Sequence, residues 1–168
     1  MHSSDPNYKW HVLYVRHQHE IKVNAFLKLK GIRSYLPLER KLRFWSDRQK
    51  WIEVPLFPCY IFVNVSVLEY YDVFEHQSVI KYVRSGGKTC VIPDEEIDSI
   101  KKIINSDLDY SVQDSLVKTG EKVHIKNGPL KNFSGEVLRK SKSNRLVLRI
   151  ENIGYSLLIN APYDIISA

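Results

Sequence analysis

Three groups of residues have the types that catalysis and metal binding use, and each lacks the spacing such chemistry requires. Gly87-Lys88-Thr89 ends like a phosphate loop, but the first glycine of that pattern falls at position 82, which is Tyr82, so the segment reads as a turn. His11, His17 and His19 with Cys59 could suggest zinc, yet no Cys-x-x-Cys or His-x-x-x-His spacing occurs, and core or surface roles fit them better. Cys59 as a nucleophile has no local signature, because it lies in an apolar segment where thiols are commonly inert packing. No catalytic residue, cofactor or metal site is therefore expected. A fourth group, Arg16, His17, His19 and Lys22, is a basic cluster that fits a solvated surface as well as it fits contact with a polyanion.

The charge distribution extends that fourth reading. Residues 1–92 carry 14 Lys and Arg against 8 Asp and Glu, residues 93–117 carry 2 against 7, and residues 118–168 carry 9 against 4, which together give the net +6 of the chain. Two basic blocks with an acidic joint suggest two modules that meet polyanions. A length of 168 residues permits one ordinary domain or two small ones, and 43% hydrophobic with 26% charged residues is a globular composition. The longest uncharged run, Val54 to Leu68, is broken by two prolines and is too short for a membrane span. The first residues lack an apolar signal region, and two lone cysteines read as reduced thiols, so a cytoplasmic monomer is expected.

The elements that must position these groups follow from periodicity. Trp10 to Val15 reads as a strand, and Glu20 to Lys30 as a helix with Ile21, Ala25 and Leu29 on one face and Gly31 closing it. Ile32 to Leu36 is a strand stopped by Pro37, and Arg40 to Lys50 is a basic loop or exposed hairpin around Phe44 and Trp45. Cys59 to Val65 is the strongest strand, Leu68 to Phe74 a short helix, and Val79 to Arg84 a strand before the Gly86-Gly87 turn. Pro93 opens a helix with Ile97, Ile100 and Ile104 on one face. Residues 105–117 are polar enough for a linker, and the strands after them, from Lys122 to Ile159, suggest a small barrel.

Two motifs add a resemblance. Gly128-Pro129-Leu130-Lys131-Asn132-Phe133-Ser134-Gly135, after an alternating strand, resembles the KOW motif of SH3-like barrels, with Gly128, Pro129, Phe133 and Gly135 as its marks. Upstream, Trp10 to Tyr14, the helix ending at Gly31, Pro55-Leu56-Phe57-Pro58-Cys59-Tyr60-Ile61-Phe62-Val63 and Tyr82-Val83-Arg84-Ser85-Gly86-Gly87 resemble the NusG N-terminal domain. The whole resembles a specialised NusG-family paralogue of the RfaH or UpxY kind. The implied fold is an α+β N-terminal domain with an antiparallel sheet and helices over residues 8–104, an acidic linker over 105–117 and a small all-β KOW barrel over 118–168.

The resemblance implies a non-catalytic transcription elongation and antitermination factor, acting at polysaccharide-type operons. RNA polymerase would be gripped at its clamp helices by Tyr14, Phe57, Tyr60 and Phe62. Arg16, His17 and Lys22 would touch the non-template DNA strand, and the KOW domain would recruit a ribosomal protein or a termination factor. A ribosome-associated RNA-binding protein of translation is the rival reading, since KOW barrels also occur there.

Overall fold

A computed structural model describes residues 7–115, 121–125, 130–131, 134–140 and 143–160. The chain divides into two compact units, Met1–Asp94 and Glu95–Ala168.

The first unit is built on a four-stranded antiparallel sheet in the order β2-β5-β1-β6. Its strands are β1 (Lys9–Val15), β2 (Arg33–Tyr35), β5 (Tyr60–Val65) and β6 (Val79–Tyr82), and helix α1 (Glu20–Leu29) connects β1 to β2. The β1–β5 register pairs Leu13 with Ile61, Val12 with Phe62 and Tyr14 with Tyr60, so successive pairs point to opposite faces. One face carries Leu13, Val15, Ile61, Val63 and Val65 into a core with Val23 and Leu27 of α1, Ile32, Leu36 and Val73. Gly31, at φ +79°, takes the left-handed position after the helix that a side chain would strain, and Ile32 N–H returns to the Leu27 carbonyl.

The apolar face of α1 differs from its expected one. Ile21 and Leu29 are exposed, while Glu20, Val23 and Leu27 are buried. Both stripes satisfy helical spacing, and the sheet selects the one that brings Val23 and Leu27 onto Ile61 and Val63.

The sheet's other face is also largely covered. Val12, Phe57 and Phe62 are wholly buried, with Phe57 edge-on to Phe62 at 6.3 Å and Tyr35 stacked on it at 6.2 Å. The expectation that Phe57 and Phe62 present their rings outward is therefore corrected. A strand such as β5, apolar on both faces apart from the buried Asn64, is a two-sided core strand, and only Tyr60 at its start stays half-exposed.

Between β2 and β5 the basic segment forms a hairpin of β3 (Leu38–Phe44) and β4 (Gln49–Pro55), paired from Leu38↔Pro55 to Phe44↔Gln49. Its tip closes with Trp45 N–H donating to the Arg48 carbonyl at 2.8 Å. The expected helix near Leu68 is reduced to a 3-10 turn at Asp72–Glu75. A two-residue ribbon, β7 (Arg84–Ser85) with β8 (Lys88–Thr89), flanks the Gly86-Gly87 turn.

The second unit contains most of α2 (Asp94–Ile104) and a five-stranded antiparallel sheet in the order β10-β11-β12-β13-β9. Its strands are β9 (Tyr110–Gln113), β10 (Glu121–His124), β11 (Ser134–Lys140), β12 (Ser143–Ile150) and β13 (Tyr155–Asn160). Ile97, Ile100 and Ile103, rather than Ile104, are the buried residues of α2, whose Lys102 Nζ meets the Lys131 carbonyl. Residues expected to be linker contain β9, which pairs with β13 from Ile159↔Tyr110 to Ser156↔Gln113. Of the KOW marks, Gly128, Pro129 and Phe133 lie outside the described residues, and Gly135 sits in β11 opposite Val123.

Candidate functional site

The end of β1, the start of α1 and the start of β5 converge at one corner of the first unit. After Val15 the chain makes a tight turn, with His19 N–H donating to the Arg16 carbonyl and Gln18 at φ +64°. Arg16 N–H is held by the Ser78 carbonyl at 2.9 Å, and His19 Nδ1 lies 2.9 Å from Ser78 Oγ. The backbone is thus pinned while the side chains of Arg16, His17 and Lys22 are left exposed. All three predicted polyanion contacts therefore lie on one free surface at the head of α1.

Glu20 anchors this corner from beneath. It is almost wholly buried in the first turn of α1, where a carboxylate is favoured by the helix dipole, and it accepts the Cys59 N–H at 2.8 Å. Cys59 adopts φ +70°, a left-handed conformation uncommon for a side-chain-bearing residue. Its carbonyl accepts the Val15 N–H at 2.8 Å, which locks the entry of β5 against the end of β1. Burial pushes the Cys59 thiol above its ordinary value, and the Glu20 carboxylate adds to the rise against an opposing hydrogen bond with Tyr14.

Next to this corner lie the aromatic residues of the sheet's second face. Tyr14 and Tyr60 are cross-strand partners with ring centroids 5.5 Å apart, both half-exposed. Lys81 Nζ sits over the Tyr14 ring at 5.8 Å. Of the four residues expected to form a docking surface, Tyr14 and Tyr60 are thus presented outward, and Phe57 and Phe62 form the packing beneath. On β1, Trp10 donates to Asp94 at 2.9 Å and lies under the Arg33 guanidinium at 5.3 Å.

The hairpin carries a second group of aromatic and cationic side chains. Phe44, Trp45 and Trp51 are exposed, and the Arg40 guanidinium lies 5.9 Å from the Trp51 ring. Arg43, Arg48 and Lys50 are exposed beside them.

The histidines separate by environment. His11 is buried, with Nδ1 2.8 Å from the Cys90 carbonyl and its ring edge-on to Tyr70 and Tyr82, and burial lowers its pKa. His17, in contrast, lies with Nδ1 3.8 Å from Cys59 Sγ, and with Glu20 these are the one group of three potential metal ligands among the described residues. Sequence spacing missed this group because its members meet only through the β1–β5 pairing. Among the described residues no helix is long and apolar enough to cross a membrane.

No curated protein matches the chain. A solved structure described as "Domain interaction in Thermotoga maritima NusG" shares 21% identity, covering 91% of this chain and 93% of that one, at a TM-score of 0.47. Residues 8–101 match the NusG family, described as transcription termination factor NusG, and this segment takes in β1, α1, β5 and the hairpin. Since the match spans more than half of the 168 residues, the chain belongs to the NusG family of transcription factors.

Proposed function

We propose that this protein is a non-catalytic transcription elongation and antitermination factor that docks on bacterial RNA polymerase and touches the exposed DNA of the elongation complex. The observation that carries this reading is the continuity of two surfaces. The half-exposed Tyr14–Tyr60 pair is joined through Cys59 to the cationic turn of Arg16, His17 and Lys22. Aromatic rings on a rigid sheet are efficient anchors for a protein partner, here the clamp helices. Cations with an imidazole suit splayed single-stranded DNA, here the non-template strand, and the basic hairpin is read as a second contact for it.

In this reading, binding to one conformation of the polymerase shifts it toward elongation and suppresses pausing and termination. Polysaccharide-type operons are the proposed setting, as for the RfaH and UpxY branch. The five-stranded sheet of the second unit is read as an SH3-like KOW barrel that recruits a ribosomal protein or a termination factor.

The test is capture of partners by the full chain from purified RNA polymerase and from ribosomal subunits, offered separately. Polymerase is expected to be retained. Tyr60→Ala should weaken it by about 2 kcal/mol, roughly 30-fold, with the melting temperature within a few degrees of the parent. Retention of ribosomal subunits without polymerase would replace this reading with the translation-side one.

A further inference from the structure

His17, Glu20 and Cys59 come from a turn, a helix N-terminus and the start of a strand, and each offers a different ligand atom. These atoms lie within 4.8 Å of one another, and His17 Nδ1 is 3.8 Å from Cys59 Sγ. Around a tetrahedral cation with a metal–sulfur bond of about 2.3 Å and a metal–nitrogen bond of about 2.05 Å, the sulfur–nitrogen edge is about 3.6 Å. The observed spacing is within a few tenths of an ångström of that edge. We propose that these three residues form a binding site for a single zinc-class divalent cation, with its fourth position open to water on the exposed His17 side.

The donor set selects the class of metal. A thiolate and an imidazole are ligands for zinc and its neighbours, whereas calcium and magnesium take oxygen. A thiolate with a carboxylate carries two negative charges, which a divalent ion neutralises.

The supporting structure is already rigid. Glu20 is buried and holds the Cys59 backbone through one carboxylate oxygen, and the Cys59 carbonyl is tied to Val15. His17 is exposed, and its Nδ1 already stands 3.8 Å from the Cys59 thiol. The remaining histidines nearby are engaged elsewhere, His11 with the Cys90 carbonyl and His19 with Ser78. A bound cation would link the β1–α1 turn to β5 and fix His17 relative to Arg16.

The experiment uses the full chain, stripped of metal by chelation and titrated with cobalt(II) as a spectroscopic stand-in for zinc. One equivalent should bind, with the strong visible bands of tetrahedral cobalt and a near-ultraviolet thiolate-to-metal charge-transfer band. Two substitutions are chosen to leave the fold intact. His17→Ala alters an exposed side chain, and Cys59→Gly places at φ +70° the residue that tolerates it best.

Cys59→Gly should abolish the charge-transfer band, and both should weaken binding by more than the 10- to 100-fold typical of losing an outer-shell partner. Cys90→Ala should leave the band unchanged. Zinc should raise the melting temperature of the parent and of Cys90→Ala but not of Cys59→Gly. The proposal is overturned if the parent takes up no stoichiometric cobalt, or if Cys59→Gly retains the band.

Discussion

At the scale of single residues, Phe62 and Tyr60 stand two positions apart on one strand and differ in what they touch. Phe62 is wholly buried between Phe57 and Tyr35, so Phe62→Ala should destabilise folding by about 3 to 5 kcal/mol, measurable by denaturant titration. Tyr60 is half-exposed, and its truncation should be felt in partner binding instead. Glu96 offers a second test. Burial, reinforced by Glu151, raises its pKa to about 7, and its Oε1 is buried without a hydrogen-bond partner among the described residues.

The folded chain therefore binds this proton more tightly than the unfolded chain does. Stability from this group is greatest below the ordinary carboxylate value and falls as pH rises toward about 7. Glu96→Gln should stabilise the protein by about 1 kcal/mol near pH 8, the gain being limited by partial solvent screening, and should change little near pH 4. Melting curves at the two pH values check it.

At the scale of elements, α1 shows how far periodicity reaches. Ile21, Ala25 and Leu29 recur at helical spacing, but so do Val23 and Leu27, and only the second pair meets Ile61 and Val63. Val23→Ala should destabilise by roughly 1 to 3 kcal/mol and Ile21→Ala by less than about 0.5, a contrast that thermal unfolding resolves. The strands β1 and β5 were legible because their aromatic and β-branched residues leave little choice. Strand β9 was not, because Tyr110 and Val112 make only two inward positions within a stretch rich in Asp and Ser, and β13 supplies the pairing. Arg16, His17 and Lys22 could be grouped from sequence by proximity. The approach of Cys59 to His17 and Glu20 could not, since the β1–β5 register creates it.

At the scale of the whole molecule, charge is divided by segment, with an excess of six positive charges in residues 1–92 and of five in residues 118–168. Long-range attraction to nucleic acid should then be strong at low ionic strength and fall steeply with salt. Arg16→Ala and Lys22→Ala should each flatten the log–log salt dependence of binding to bubble DNA by about 0.7, the contribution of one single-strand phosphate contact. Fluorescence anisotropy across a salt series gives the slope, and an unchanged slope in both variants would return these residues to ordinary solvated surface. Because β9 pairs with β13, deleting residues 110–113 would remove a strand from the second sheet, so the acidic stretch is not a free spacer.

The hairpin of β3 and β4 has a mechanical consequence. Each strand has seven residues and, among the described residues, pairs only with the other, so the arm is about 24 Å long at about 3.4 Å per residue. Leu56 N–H donating to the Pro37 carbonyl at 2.9 Å fastens its root, where Pro37 precedes β3 and Pro55 ends β4. A lever of that length converts a tilt of about 10° at the root into about 4 Å of travel at the tip, where Phe44 and Trp45 are carried. Small angular play at a fixed pivot thus becomes a sweep of several ångströms at the exposed rings while every rung of the hairpin ladder stays paired.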